Sequence, residues 1–427
     1  MNASNPTILE QLQFTGNRLL MRGMKVALGV LPLREPTLLV GTSALDQLAE
    51  IIAGRSLEKV LLVTTAGIIQ RGQAAELIRA LESRGVTPVI YDGIRPDPTF
   101  AIVNEGLELL QRESCDSVVA FGGGSAMDAA KVMAVAATNR RTPEKLVGIL
   151  KGLKKPLPFF AVPTTAGTGS ETTVASVISD DSTHAKSFVV DHRTLALAAA
   201  FDPRLMEGIG PDLTAATGMD ALTHAIEAWV STISTPETDR YALEAIQLIL
   251  EHLPRACDNG SDLEAREAMA IASFKAGRAF TQALVGYVHA ISHQLGAYYG
   301  IPHGLGNAIL LPKVLAFSQG AARSRLARLA VETGVAKAGG DEAALAQAFV
   351  DHIAALNRRL GIPETVVELQ DKDIAAIAQG ATREALLNYA VPRHMTRRDC
   401  EQLLRSLQGS QVREAGFETD LELKEAA

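Results

Sequence analysis

KVLLVT (Lys59 to Thr64), VTPVIY (Val86 to Tyr91) and SVVAF (Ser117 to Phe121) are short apolar runs rich in β-branched residues, and each is followed by a longer segment of helical spacing. Unbroken apolar character marks a strand buried on both faces, whereas apolar residues three and four apart mark one stripe of a helix. Ile68 to Arg84 reads as a helix closed by Gly85. Thr99 to Glu113 reads as a second, with Ile102, Val103, Leu107 and Leu110 on one stripe, and Ala126 to Ala137 as a third. Strand-helix-strand-helix-strand, with Gly122-Gly123-Gly124-Ser125 after the third strand, is half of a doubly wound parallel sheet of the dinucleotide-binding kind. Further strand-like runs follow at Pro158 to Val162, Thr173 to Ser179, Ser187 to Val190 and Leu195 to Phe201.

Beyond Asp202-Pro203 the texture changes: segments become rich in Ala and Leu at helical spacing, and strand runs disappear. Gly208, Gly210 and Pro211 break the chain there, and Asp212 or Thr214 can cap the next helix. The expected organisation is an extension over 1–34, an α/β dinucleotide-binding domain over 35–210 and an all-helical domain over 211–427. The last dozen residues read as an acidic, solvated tail.

A chain of 427 residues is long enough for two or three domains with proper cores. Its 47% apolar and 21% charged residues suit a globular protein, and the net charge of -7 without any basic block argues against nucleic acid as a partner. Uncharged apolar stretches are too short for a membrane span. Three scattered cysteines, Cys115, Cys257 and Cys400, offer neither a disulfide framework nor a thiolate metal cluster and suit a reducing compartment. We expect a cytoplasmic protein. Arg18, Arg22 and Lys25 precede an apolar run that is too short for a secretory signal, so the extension is expected to fold.

Three consecutive glycines between a buried strand and a helix admit a ligand to the backbone, and the free N–H groups of the helix start attract a phosphate. Ser125, Asp128 and Lys131 follow on the first turns. The spacing is neither GxGxxG nor a Walker loop, so the nucleotide reading rests on its context. PTTAGTGS (Pro163 to Ser170) is a second strand-end loop, with four hydroxyls and two glycines, that would face the same carboxyl edge of the sheet.

The histidines carry the second signal. Asp220 and His224 lie four apart on one predicted helix, and His289 and His293 four apart on another, so each pair shares a face one turn apart. His303 follows the glycines and Pro302, which let the chain turn back. Two imidazoles among Val288, Ile291 and Leu295 are costly to bury without partners. Three histidines and a carboxylate without cysteine make an N/O site suited to Fe(II), Zn(II) or a related ion. His184, His192, His252, His352 and His394 read as surface residues.

Taken together, GGGSAMDAAK (122–131), PTTAGTGSE (163–171), TAATGMDALTHAIEAWVS (214–231) and GYVHAISHQLGAYYGIPHGLGNAILLP (286–312) resemble the iron-containing, group III alcohol dehydrogenases, in the right order and from about Glu35 to Leu407. The resemblance implies a Rossmann-like α/β domain followed by a dehydroquinate synthase-like helical domain, with cofactor and metal in the cleft between them. It implies Asp220, His224, His289 and His303 as metal ligands and His293 as a histidine near the metal that does not ligate it. Gly122, Gly123, Gly124, Ser125 and Asp128 match the pyrophosphate loop, and Thr164, Thr165 and Thr168 the second nucleotide loop. The implied reaction interconverts a small alcohol and its aldehyde or ketone with NAD or NADP. Its rival is a nicotinamide- and metal-dependent lyase related to dehydroquinate synthase. A homodimer or higher homo-oligomer is expected. In one departure, Thr65 stands where many NAD-using members carry Asp after the first strand, which implies that NADP is accepted.

Overall fold

The computed structural model describes residues 5–30, 33–182 and 186–409. His184 and the acidic tail lie outside them. The strands are β1 (Thr37–Val40), β2 (Lys59–Val63), β3 (Thr87–Tyr91), β4 (Ser117–Gly122), β5 (Gly148–Ile149), β6 (Phe159–Pro163), β7 (Ala175–Ser179), β8 (Lys186–Val190) and β9 (Ala198–Phe201). Six of them form a wholly parallel sheet in the order β1-β9-β6-β4-β2-β3.

Every residue of β4 is buried, and the alternation of its side chains divides the core. Val118 and Ala120 pack with Phe100, Val103, Leu107 and Met133 on one face. Val119 and Phe121 pack with Leu45, Leu48, Ile52 and Leu77 on the other. Helices therefore cover both faces, as a parallel sheet requires.

β2 and β4 are neighbours, pairing Val63 with Ala120. The chain leaves β2 outward to β3 but leaves β4 in the opposite direction, to β6. That divergence is a topological switch point, where the carboxyl ends of strands open a crevice for ligands.

Two expectations are corrected. The single helix over Ile68 to Arg84 is two, Ala66–Gln70 and Ala75–Glu82, because Gly72 takes φ +70°, a left-handed turn that a helix cannot carry. The runs Thr173 to Ser179 and Ser187 to Val190 leave the main sheet. As β7 and β8 they pair antiparallel, Ala175 opposite Val190, in a separate sheet of order β5-β8-β7.

Residues 33–182, 186–210 and 259–277 belong to this α/β unit, and the described residues of 5–30, 211–258 and 278–409 form a second, helical one. The expected fold class holds: a parallel α/β sheet domain and a helical part. The extension is a helix, Ile8–Val30, that belongs to the helical unit. Its inner face is set by Asn17, whose amide donates to the Leu386 carbonyl at 2.7 Å, by buried Met21, and by Phe14, which stacks on His394 at 4.6 Å. Against expectation, His394 is therefore buried, and so is His252 in the helix Pro236–Asp258. Among the described residues no helix is long and apolar enough to cross a membrane.

Candidate active site

The helical unit assembles the histidines from three helices. Pro211–Val230 carries Asp220, His224 and Glu227 on one face, Tyr287–Tyr299 carries His289 and His293, and His303–Ser318 begins with His303 and carries Asn307 one turn later. The last helix can approach the first because residue 304 is glycine: a Cβ there would stand 2.5 Å from the Ala216 carbonyl oxygen.

One donor atom from each of Asp220, His224, His289 and His303 lies within 4.8 Å of the others. Asp220 Oδ1 is 3.9 Å from His224 Nδ1, 3.8 Å from His289 Nε2 and 3.6 Å from His303 Nε2. Such spacings suit donors sharing one ion at about 2.0–2.2 Å each. Three of the four are buried, while the His303 side chain is 37% exposed. Burial, followed by the charges His224, His303 and His293 would carry, holds His289 well below the usual imidazole range, so it is neutral and able to ligate. The donor set thus fits a divalent ion.

Sequence reasoning missed the groups that hold these side chains in place. Glu227 Oε2 lies 2.6 Å from His289 Nδ1 and accepts from the Gly286 N–H, while Oε1 accepts from the Val288 N–H, each at 2.8 Å. Burial pushes the Glu227 carboxyl up to about 8, and the N–H groups it accepts oppose that shift. A divalent ion bound at Nε2 would favour the ionised carboxylate, and an ionised Glu227 keeps the imidazole proton on Nδ1 and leaves Nε2 with its lone pair. The signal was present, since Glu227 is three residues past His224 on the same stripe.

Asn307 is wholly buried, and its Nδ2 donates to Asp220 Oδ1 at 2.7 Å. Phe280 stacks on His224 at 4.2 Å. Partners that fix ligand orientation typically carry 10–100-fold in metal affinity. Glu227→Gln places an NH2 against N–H donors, and the expected result is metal bound about 10–100-fold more weakly. Competition with a chelator measures this, and wild-type affinity would show that Glu227 does not orient His289.

His293 stands outside the donor set. Its Nδ1 lies 2.7 Å from Glu384 Oε1, which also accepts the Tyr389 hydroxyl at 2.7 Å, and its ring stacks on His303 at 5.3 Å.

In the α/β unit, the loops after β2, β4 and β6 share the carboxyl edge. Thr65 caps the helix Ala66–Gln70, its side chain accepting from the Ile68 N–H. Gly122, Gly123, Gly124 and Ser125 run from β4 into the helix Gly124–Asn139. Thr164 follows β6 and donates its N–H to the Gly122 carbonyl at 3.1 Å. Thr164, Thr165 and Thr168 are half-buried, and Thr168 Cγ2 lies 3.0 Å from where a Gly124 Cβ would stand. The two candidate phosphate loops therefore touch. Asp128 is turned toward the protein, accepting from the Ser170 hydroxyl at 2.6 Å and the Val177 N–H at 2.9 Å.

Residues 36–203 match the iron-containing alcohol dehydrogenase family, and residues 214–408 match the C-terminal part of the Fe-containing alcohol dehydrogenase family. Alcohol dehydrogenase 4 of Schizosaccharomyces pombe is 42% identical over 351 residues, 81% of this chain and 82% of its own. The NAD-dependent methanol dehydrogenase of Bacillus methanolicus is 37% identical over 87% of this chain and 98% of its own. A crystal structure of a 1,3-propanediol oxidoreductase superposes with a TM-score of 0.84 at 36% identity, covering 87% of this chain and 98% of that one. Matched along both halves and in fold, the chain belongs to the iron-containing alcohol dehydrogenase family and is an oxidoreductase of alcohols and aldehydes.

Proposed function

We propose that the protein interconverts a small primary or secondary alcohol and its aldehyde or ketone with NAD(P)(H), using Fe(II), or Zn(II) in its place, held by Asp220, His224, His289 and His303. The observation that carries this reading is the convergence of those four donor atoms within 4.8 Å. Bound there, a divalent ion supplies Lewis acidity to the substrate oxygen, and the nicotinamide supplies the hydride chemistry.

The chain's own groups do the rest. Glu227 holds the His289 tautomer and Asn307 holds the Asp220 carboxylate. Glu384 keeps a proton on His293 Nδ1, so that Nε2 can take the proton an alcohol loses and pass it to solvent. The backbone at Gly122 to Ser125 and the hydroxyls of Thr164, Thr165 and Thr168 receive the dinucleotide phosphates. This reading also expects a cytoplasmic enzyme that forms a homodimer or larger homo-oligomer; light scattering on purified protein checks the assembly.

The test is a panel of short alcohols and aldehydes with metal-loaded protein, following the absorbance of the reduced cofactor. Net oxidation or reduction is expected. A metal-dependent lyase returns its hydride within one turnover, so substrate loss without net cofactor change would overturn the reading.

Cofactor choice rests on the turn after β2. A carboxylate there accepts ribose hydroxyls and repels a 2′-phosphate. Here the chain runs Thr65-Ala66-Gly67, with no carboxylate before Glu76. Arg71 folds back over this turn: its Nη1 lies 2.9 Å from where a Gly67 Cβ would stand, and its Nε donates to Gln73 at 3.2 Å. A guanidinium so placed favours a phosphate. NADP(H) is expected to serve at least as well as NAD(H), and Thr65→Asp to move the preference toward NAD(H). The ratio of kcat/KM for the two cofactors decides it. A wild type preferring NAD(H) by ~100-fold, about 2.7 kcal/mol, would overturn the argument.

A further inference from the structure

Lys131 is a fully buried lysine in the helix Gly124–Asn139, which springs from the glycine loop. An ammonium out of water needs replacement partners. Its Nζ finds four: Thr173 Oγ1 at 2.9 Å, Ser170 Oγ at 3.0 Å, the Thr173 carbonyl at 3.1 Å and the Ala175 carbonyl at 3.2 Å. All four are uncharged and come from one short segment, 170–175, directly after the threonine loop.

Ser170 is the joint. Its Oγ accepts from Lys131 and donates to Asp128 Oδ1 at 2.6 Å, while Asp128 Oδ2 takes the Val177 N–H at 2.9 Å. Lys131 and Asp128 are three residues apart, so one helix face grips the hydroxyl from two sides. The Ser170 N–H in turn donates to Thr168 Oγ1 at 3.3 Å, and Thr168 is the residue packed on Gly124. A chain of contacts thus runs from the helix, through Ser170, back to the glycine loop from which that helix springs. Burial lowers the Lys131 amine to about 8, with Asp128 and Glu171 opposing the shift, so it is charged at neutral pH.

We propose that Lys131 is a positioning residue for the dinucleotide: the Lys131–Ser170–Asp128 brace sets the threonine loop against the glycine loop, so that one pyrophosphate-bearing ligand meets both. This rests on reading the two loops as the nucleotide site. Lys131 does not touch the ligand; it fixes the spacing of groups that do. Pre-set spacing lowers the ordering cost of binding and leaves the chemical step alone.

The test compares wild type with Lys131→Met, Ser170→Ala and the double variant. The measurements are reduced-nicotinamide fluorescence titration for Kd, metal content, thermal unfolding, and KM and kcat for the cofactor. Each single variant is expected to weaken binding about 10-fold and raise the cofactor KM alike. We expect kcat at saturating cofactor within about twofold of wild type and the metal content unchanged. The double variant should bind no more weakly than the weaker single one, since both act through the same joint. Folded variants that bind as wild type while melting earlier would reduce the brace to a stabilising role and overturn the proposal. Additive losses would overturn the shared joint. If Lys131→Met does not fold, Ser170→Ala alone decides. A wild type that binds neither NADH nor NADPH would instead overturn the nucleotide reading itself.

Discussion

Replacing His303 with alanine is expected to remove the bound metal and to lower kcat/KM by at least ~10³-fold, with the fold intact. The magnitude follows from the Lewis acid's share of the barrier, several kcal/mol, at about 1.4 kcal/mol per decade. The intact fold follows from exposure, because the His303 side chain is 37% open whereas those of His224 and His289 are 6% and 4%. His289→Ala is expected to lose metal as completely but also to destabilise the chain, since it takes from the buried Glu227 carboxylate a donor at 2.6 Å. Leaving a buried polar group short of a partner costs about 1–3 kcal/mol. The two variants therefore share a metal content near zero and differ in melting temperature. Metal analysis after dialysis, unfolding curves and steady-state rates check all three statements. Full activity in chelated protein verified as metal-free would sink the assignment.

The clustering of Asp220, His224, His289 and His303 was legible because helices convert sequence spacing into spatial spacing. Asp220 with His224, and His289 with His293, are each a local statement about one face. What spacing could not choose was which of His289 and His293 joins the donor set, since both lie on the same helix. Glu384, which holds His293, comes from the helix Asp371–Asn388, about ninety positions along the chain, and carries no local signal. His394 was misread for the same reason: its polar neighbours in sequence do not reveal the Phe14 ring stacked on it.

In the α/β unit the main-sheet strands were legible where both faces are buried, as in β4 and β6. β7 and β8 were recognised as strands, but their departure from that sheet was not. Their mark is incomplete burial, with Lys186 and Phe188 of β8 exposed, as befits a small sheet with a wet face. β5, with two residues, is too short for any periodicity. Lys131 was visible as a cation on an Ala-rich helix. Its burial depends on neighbours from 170–175, some forty residues on.

His293→Ala is expected to keep the metal while lowering kcat by ~10²-fold or more, the lower end of what a positioned acid–base group contributes. The geometry sets His293 apart from its neighbour one turn away. The His289 side chain is 4% exposed and its Nδ1 is directed to the Glu227 carboxylate, 5% exposed, whereas the His293 side chain is 20% exposed and its partner Glu384 is 16% exposed. A group that passes a proton to solvent needs that opening; a metal ligand does not. Glu384 accepts from Tyr389 as well, which fixes the carboxylate and, through it, the imidazole tautomer. Glu384→Gln is therefore expected to lower kcat in the same direction by a smaller factor, with metal content again unchanged. Added imidazole should restore part of the rate to His293→Ala and none to His303→Ala. If His293→Ala lost its metal as completely as His289→Ala, or turned over at the wild-type rate, the division of these histidines into ligands and relay would be wrong.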